Sequence, residues 1–291
     1  MNVLCDTGNQ LNSDEMLGWG KAFVSAGNNF LFLKREEKSI LDAFNEKKPD
    51  IFITDFNLVN RATKKAIENN KYCKFIIFIS NQEQKKQIEN NNVFFISQNN
   101  IENCLNVIPS CDIFLCLKPQ KQKSMICDIS YVGDYFYEKV FNKCFEKFYI
   151  KCWGNSKWPF VNFIGSIKND KIKNVICSSK MSFYSDNLNN KNWPLNVYGC
   201  KGLIINYKSL WLKNILINND FYVEKEEDFF NLIESILNKS KNIESNIEEN
   251  YNHVIKNHLC HNRISNILYN IGYEEESKKC LNAATEIIQK Y

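Results

Sequence analysis

The sequence has 291 residues, of which 44% are hydrophobic and 24% are charged, and its formal net charge at pH 7 is +4. These values are typical of a soluble globular protein large enough for two domains, and the charge is too weak to predict nucleic-acid binding. The apolar runs are far shorter than the ~18 residues of a membrane-spanning helix, so no membrane span is predicted.

The first ~117 residues alternate short apolar runs with amphipathic segments. The apolar runs predict strands at 3–5, 30–33, 51–55, 75–79, 93–96 and 112–117, and helices are predicted to begin near Asp14, Ser39 and Arg61. Strands that are apolar on both faces and separated by helices indicate a parallel sheet covered on both sides. The basic, proline-containing segment 118–123 is typical of a linker. Residues 1–120 are therefore predicted to form a Rossmann-like domain.

The same alternation restarts after the linker. Strands are predicted at 129–132, 148–153, 175–177, 203–206 and 221–223, and helices at 137–145, 228–237, 243–256, 262–270 and 274–289. A second Rossmann-like domain is thus expected over residues 121–271, followed by a C-terminal helix at 272–291. The predicted fold class is α/β, with two Rossmann-like domains that face a central cleft.

The segment 175–206 carries the densest group of candidate ligand-binding residues. It is interpreted as a strand, a polar loop, a short helix, a small-residue turn and a second strand. This interpretation places the serines and the lysine of 178–180 directly after a strand, and the turn 199–202 directly before the next one. Ligands of open α/β sheets bind beyond the carboxyl ends of the strands, where backbone N–H groups are free. The segment is therefore predicted to line a ligand site.

The cysteines favour a reducing compartment. The twelve cysteines include no CxxC pair, and many of them lie inside apolar runs, where a free cysteine behaves as a small hydrophobic residue. The N-terminus has no basic segment followed by a long apolar stretch, so no signal peptide is expected. The predicted location is the cytoplasm.

Several short motifs follow one another through the second half of the chain. They are DISYVG at 128–133, WG at 153–154, a glycine at 165, SKMSF at 179–183, LNVYGCKGLIIN at 195–206 and HLCHNR at 258–263. In their order and spacing they resemble the CgeB-like, spore-maturation-type glycosyltransferases of the group 1-like superfamily, which look like GT-B enzymes. The resemblance covers residues 125–270, and the first half is similar in architecture.

Three positions depart from the pattern of that family. Its glutamate falls at Asn196, the first glycine of its glycine pair falls at Lys201, and its arginine is missing because Trp-Pro-Leu occupies 193–195. A carboxylate that would bind the ribose of the donor is therefore replaced by an amide. This replacement predicts either altered donor recognition or weakened or lost activity.

The resemblance implies a glycosyltransferase that moves a sugar from a nucleotide-diphosphate sugar to an acceptor hydroxyl, without a tightly bound metal or other cofactor. The first domain would bind the acceptor, which would be a carbohydrate, a protein or another hydroxyl compound. The second domain would bind the nucleotide sugar, and the C-terminal helix would pack back onto the first domain. Two alternatives stay open: a weakly active or inactive protein of the same fold that binds a sugar or a partner, and a nucleotide-sugar epimerase.

The expected catalytic residues are Lys180, which would stabilise the leaving phosphate, and a carboxylate that would deprotonate the acceptor. Asp6, Asp55 and Asp14 are the candidates for that carboxylate, although a helix cap explains Asp14 equally well. The expected donor-binding residues are Gly133, Trp153, Gly154, Ser178, Ser179, Lys180, Asn196, Tyr198, Lys201 and Gly202. Most of these residues also have a purely structural explanation. A position on the surface would explain the lysines, tight turns would explain the glycines, helix packing would explain Asn196 and Tyr198, and a core position would explain Trp153.

Overall fold

The structure is a computed structural model that describes residues 1–8, 14–88, 90–135, 139–154, 159, 162–186, 192–239 and 241–290, except for the side chains of residues 14 and 15. The chain forms two compact units. Unit 1 comprises Met1–Pro109 and Cys260–Lys290, and unit 2 comprises Ser110–Leu259. The chain leaves unit 1 before the expected linker at 118–123, and it returns before the expected boundary at 271/272.

Unit 1 is built on a six-stranded parallel sheet. Its strands are β1 (Asn2–Asp6), β2 (Asn29–Phe32), β3 (Ile51–Asp55), β4 (Lys74–Phe78), β5 (Val93–Ser97) and β6 (Leu105–Asn106), in the order β2-β1-β3-β4-β5-β6. Every neighbouring pair is parallel. The first five strands match the predicted apolar runs. β1, β3 and β4 are buried along most of their length, as expected of strands covered on both faces.

The N-terminal helices of unit 1 are α1 (Asp14–Ser25), α2 (Ile40–Lys47), α3 (Arg61–Asn69) and the short α4 (Gln82–Lys85). Local signals set their starts. Ser39 caps α2 by accepting a hydrogen bond from the Asp42 N–H, and Asn60 and Thr63 form a capping box at α3. Phe44 of α2 stacks on Phe75 of β4, with ring centroids 5.4 Å apart.

Unit 2 is built on a second six-stranded parallel sheet. Its strands are β7 (Cys127–Val132), β8 (Ile150–Trp153), β9 (Phe163–Gly165), β10 (Ser179–Ser185), β11 (Ile204–Tyr207) and β12 (Tyr222–Val223), in the order β12-β11-β10-β7-β8-β9. Its helices are α5 (Ile113–Cys116), α6 (Lys139–Lys147), α7 (Asn169–Ser178), α8 (Trp193–Gly199), α9 (Leu210–Ile215), α10 (Glu226–Leu237) and α11 (Glu244–Asn257). The predicted start of α6 at 137 lies outside the described residues.

Two predicted strands of unit 2 are wrong. Residues 113–116 form α5, because the Asp112 side chain caps the segment by accepting a hydrogen bond from the Phe114 N–H. Residues 175–177 belong to α7, which buries Ile172, Val175 and Ile176 at helical spacing. The strand follows this helix, as β10. A short apolar run is equally compatible with a strand and with a buried helical turn, which explains both errors.

The chain ends with α12 (Cys260–Asn270) and α13 (Glu274–Lys290), which belong to unit 1. Ile264 and Leu268 of α12 share one core cluster with Trp19 and Phe23 of α1. The C-terminal helix thus packs within unit 1, through α12 and α1. No helix in the described part of the chain is long and apolar enough to cross a membrane.

Candidate functional site

The strand order of unit 1 reverses between β1 and β3. The loops that follow these two strands leave the sheet in opposite directions, which opens a crevice at their carboxyl ends. A cavity of about 550 Å³ lies there, lined by the ends of β1, β3, β4 and β5. We call it the switch-point cavity. Its size is typical of a pocket for a small molecule.

Asp6 ends β1 and lines this cavity, but its carboxylate is already engaged. The Arg35 Nε donates to both of its oxygens at 3.0 Å, and the Arg35 Nη2 donates to Oδ2 at 2.5 Å. The Gly8 N–H donates to Oδ1 at 3.1 Å. Because the Asp6 side chain is 0% exposed, this ion pair is a structural element of the cavity wall. A carboxylate held in this way is a poor acceptor for a substrate proton.

Asp55 ends β3 and also lines the cavity, with its side chain exposed. Its Oδ1 accepts a hydrogen bond from the Asn57 N–H at 2.8 Å, which orients the carboxylate. Its Oδ2 has no hydrogen-bond partner among the described residues. Asp55 is therefore the predicted carboxylate whose geometry suits a general base. Asp14 is the first residue of α1, and its side chain lies outside the described part of the structure.

In unit 2 the strand order reverses between β7 and β10. Gly133 follows β7 and Gly154 follows β8, and the two turns are in close contact. A Cβ atom on Gly154 would lie 2.1 Å from the Gly133 carbonyl oxygen, so only glycine fits there. Trp153, which precedes Gly154, is 3% exposed and is a core residue. Backbone packing therefore determines the shape of the turns at Gly133 and Gly154. Both turns lie at the carboxyl ends of the strands, where open α/β sheets generally bind their ligands.

Polar groups collect at the carboxyl ends of β10 and β11. The Tyr184 hydroxyl and the Ser185 Oγ are buried without a hydrogen-bond partner in the described part of the chain, and burial raises the pKa of Tyr184. The Ser209 Oγ donates to the carboxylate of Asp186. Lys208 lies between β11 and Ser209 with an exposed side chain. These residues are absent from the sequence-based prediction, although Lys208 directly follows a correctly predicted strand.

Ser178, Ser179 and Lys180 lie at the opposite edge of this sheet, because α7 precedes them and β10 begins at Ser179. The Lys180 Nζ is 2.9 Å from the Asp128 Oδ1, in an exposed ion pair. The Ser178 Oγ accepts from the Gln122 N–H at 2.8 Å. The expectation that these three residues follow a strand is therefore wrong, and the reason for assigning them to a ligand site is removed.

Asn196 and Tyr198 have structural partners within unit 2. The Asn196 Oδ1 accepts a hydrogen bond from the Asp112 N–H at 3.0 Å, which joins α8 to the start of α5. The Tyr198 hydroxyl is 3.4 Å from the Asn246 Oδ1 of α11, and the side chain is 1% exposed. Burial raises the pKa of Tyr198. Both residues therefore hold α8 in place.

Lys201 and Gly202 form the turn between α8 and β11, at the amino end of that strand. The Lys201 Nζ is 3.1 Å from a carboxylate oxygen of Glu248 on α11. A Cβ atom on Gly202 would lie 2.5 Å from the Cγ2 of Ile176, so this glycine permits close packing of the turn. Neither residue lies at the edge of the sheet that carries Gly133 and Asp186.

A family model matches part of the second half of the chain. Residues 136–269 match the family model described as glycosyl transferase-like. The matched part is therefore similar to glycosyl transferases. It contains the Gly154 turn and the carboxyl ends of β10 and β11, and it extends into α12. No curated protein sequence matches the chain.

Solved structures show the fold of the whole chain. BGT of phage T4, in complex with its UDP-glucose substrate, has a TM-score of 0.59 and is 12% identical, over 95% of this chain and 99% of its own. HepE of Anabaena, in complex with UDP and glucose, has a TM-score of 0.47 and 8% identity, over 99% and 98%. The calicheamicin glycosyltransferase CalG4 has a TM-score of 0.39 and 9% identity, over 99% and 94%. The two parallel sheets with their helices are those of a GT-B fold.

Proposed function

We propose that the protein is a glycosyltransferase that moves a sugar from a nucleotide-diphosphate sugar to the hydroxyl group of an acceptor. The observation that carries this proposal is the glycosyl transferase-like sequence of residues 136–269, on a parallel sheet whose order reverses at β7 and β10. The sequence motifs favour the CgeB-like subtype. All twelve cysteines are reduced thiols, which suits a reaction in the cytoplasm.

Unit 2 binds the nucleotide sugar in this proposal, at the carboxyl ends of its central strands. Transfer breaks the bond between C1 of the sugar and the diphosphate, so negative charge grows on the leaving phosphate and needs a fixed positive partner. Lys208 is the lysine that directly follows a central strand at this edge. We assign it the role that the sequence alone suggested for Lys180. A lysine in this role makes a tightly bound metal unnecessary.

Unit 1 binds the acceptor, in the switch-point cavity. Asp55 takes the proton of the acceptor hydroxyl while the oxygen attacks C1 of the sugar. One bond forms between the acceptor oxygen and C1, the bond from C1 to the diphosphate breaks, and the nucleoside diphosphate leaves with the electron pair. Asp6 does not compete for this proton, because Arg35 occupies both of its oxygens.

Turnover of nucleotide sugars tests the proposal. UDP-glucose, the substrate bound by the phage T4 enzyme, is the first donor, followed by other nucleotide sugars, with release of the nucleoside diphosphate as the readout in the presence of EDTA. The proposal predicts turnover of at least one donor. The absence of both binding and turnover for every donor would leave a protein of the same fold with another role, and interconversion of donor sugars without an acceptor would indicate an epimerase.

Three lysine variants locate the phosphate site. Lys208→Met is expected to lower kcat by ~10²–10³-fold, as does the loss of one group that stabilises the oxyanion. Lys171→Met, on the exposed surface of α7, is the control for the loss of one positive charge from unit 2. Lys180→Met compares the two edges of the sheet. A large loss in Lys180→Met together with normal turnover in Lys208→Met would place the phosphate at the amino edge and refute our assignment.

A further inference from the structure

The charge of the switch-point cavity indicates which charge an acceptor that binds there can carry. Asp6 and Asp55 are the two charged residues among its described lining. Arg35 neutralises Asp6, which leaves the carboxylate of Asp55 uncompensated. Because the described lining contains one carboxylate without a positive partner and no lysine or arginine, it repels phosphate and other anions.

The uncharged lining combines apolar walls with hydroxyl and amide groups. Met16, Phe78 and Ile79 supply apolar surface. The Thr7 Oγ1 is buried and has no partner in the described part of the chain. Ser97 is 1% exposed, and its Oγ accepts from the Asn99 N–H at 3.1 Å, so its own hydrogen is available to a ligand. A pyranose ring matches this lining, because it presents C–H groups on its faces and hydroxyl groups around its edge.

We infer that the acceptor enters this cavity as a pyranose without negative charge, and that the cavity selects against phosphorylated sugars. The inference rests on the proposed function, since it names the acceptor class for the same reaction. The ring lies against the apolar walls, and its hydroxyl groups bond to Thr7, Ser97 and Asp55. The carboxylate that accepts the proton is also the group that rejects anions.

Binding of matched sugars to the full chain, without a donor, tests the inference. Glucose, glucosamine and glucose 6-phosphate share one ring and differ in charge, and galactose and mannose extend the neutral set. Isothermal titration is expected to show binding of at least one neutral sugar and of glucosamine. Glucose 6-phosphate should bind about tenfold more weakly than glucose, because its phosphate lies within a few ångströms of the Asp55 carboxylate in a partly screened site.

Three variants assign this binding to the cavity. Ser80→Trp places a large ring at the exposed rim after β4 and should abolish sugar binding without disturbing the core. Asp55→Asn keeps a side-chain oxygen for the Asn57 N–H and should bring the affinity for glucose 6-phosphate to within about threefold of that for glucose, because the repulsion is removed. Glu68→Gln removes one exposed carboxylate from α3, away from the cavity lining, and should change nothing.

The outcomes separate this inference from the proposed function. Equal or tighter binding of glucose 6-phosphate in the unmodified protein, no binding of any of the sugars, or binding that survives Ser80→Trp would overturn the inference. Hydrolysis of a nucleotide sugar in the same preparation would then still support the glycosyltransferase. Conversely, selective binding of neutral sugars with no turnover of any donor would refute the enzyme and retain the cavity as a sugar site.

Discussion

Replacement of Arg35 by methionine should destabilise unit 1 more than replacement of its partner Asp6 by asparagine. In Arg35→Met the Asp6 carboxylate keeps the Gly8 N–H at 3.1 Å and the Thr54 hydroxyl at 3.5 Å, but it loses its positive partner in a site where it is 0% exposed. Removal of one partner from a buried pair costs about 3–5 kcal/mol. Because the Arg35 side chain is 25% exposed, water can enter, and we expect about 3 kcal/mol.

The reverse substitution is milder for a physical reason. In Asp6→Asn the guanidinium of Arg35 retains some contact with water, and it keeps its hydrogen bond to the Leu58 carbonyl oxygen at 2.6 Å. The asparagine still accepts from the Gly8 N–H. We expect a loss of about 1.5–2 kcal/mol, at the lower end of the cost of a hydrogen bond to a charged group. The double variant should be more stable than Arg35→Met alone, because it no longer contains a buried, unpaired carboxylate.

Hydrogen exchange on peptides from β1 and β3, measured in increasing urea, reports the stability of unit 1 separately from that of unit 2. Lys34→Met is the matched control. Its Nζ is 2.8 Å from Glu37, but both side chains are more than half exposed, so the substitution should leave the stability of unit 1 nearly unchanged. An Arg35→Met protein as stable as this control, or an Asp6→Asn protein less stable than Arg35→Met, would refute the argument that Asp6 is a structural carboxylate.

Three further predictions concern other positions. Gly199→Ala would place a Cβ atom 2.5 Å from the Cys111 Sγ and should lower the free energy of unfolding of unit 2 by about 1–3 kcal/mol in urea titrations. Gly154→Ala would meet the Gly133 carbonyl oxygen at 2.1 Å and should cost at least as much, since backbone atoms have to move; unchanged thermal unfolding would contradict this packing. Burial lowers the pKa of His261 from 6.5 to about 4 in the folded chain, so the unfolded chain binds more protons between these pH values. The free energy of unfolding should therefore fall by up to about 3 kcal/mol as the pH drops from 6.5 to 4, and His261→Asn should show a smaller fall in the same titration.

The sheets could be predicted from the sequence where burial dominates the pattern. The first five strands of unit 1 are apolar runs bounded by polar turns, and a strand covered on both faces has no other pattern. Residues 112–117 and 175–177 are equally apolar but are helical, because a cap at Asp112 and the buried face of α7 decide the local structure. The strand β9 has three residues, Phe163–Gly165, and is too short for periodicity to show.

The candidate site could be predicted in part. Asp55 is predicted from its position at the end of an apolar strand, and in the structure it lines the switch-point cavity. The role of Asp6 depends on Arg35, a partner 29 residues away, and no local pattern shows such a pairing. The structural reason for choosing Lys180 is removed, because residues 175–177 are helical and residues 178–180 lie where the strand β10 begins, not after a strand. With β10 placed at Ser179–Ser185, the lysine that directly follows a central strand is Lys208, which becomes the candidate for the phosphate site.

The groups that surround Asn196 give a structural reason for an amide at this position. Its Oδ1 accepts the N–H of Asp112, and the carboxylate of the same Asp112 caps α5 through the Phe114 N–H at 3.0 Å. A glutamate at 196 would bring a second carboxylate beside that of Asp112, in a site where both residues are less than one tenth exposed, and two buried carboxylates repel each other. An asparagine satisfies the buried N–H without adding charge. An asparagine at 196 is therefore compatible with the way in which α8 joins α5 in this chain. Carboxylates at the carboxyl ends of the strands of unit 2, among them Asp186 after β10, are then the candidates for binding the ribose of the donor in the proposed reaction.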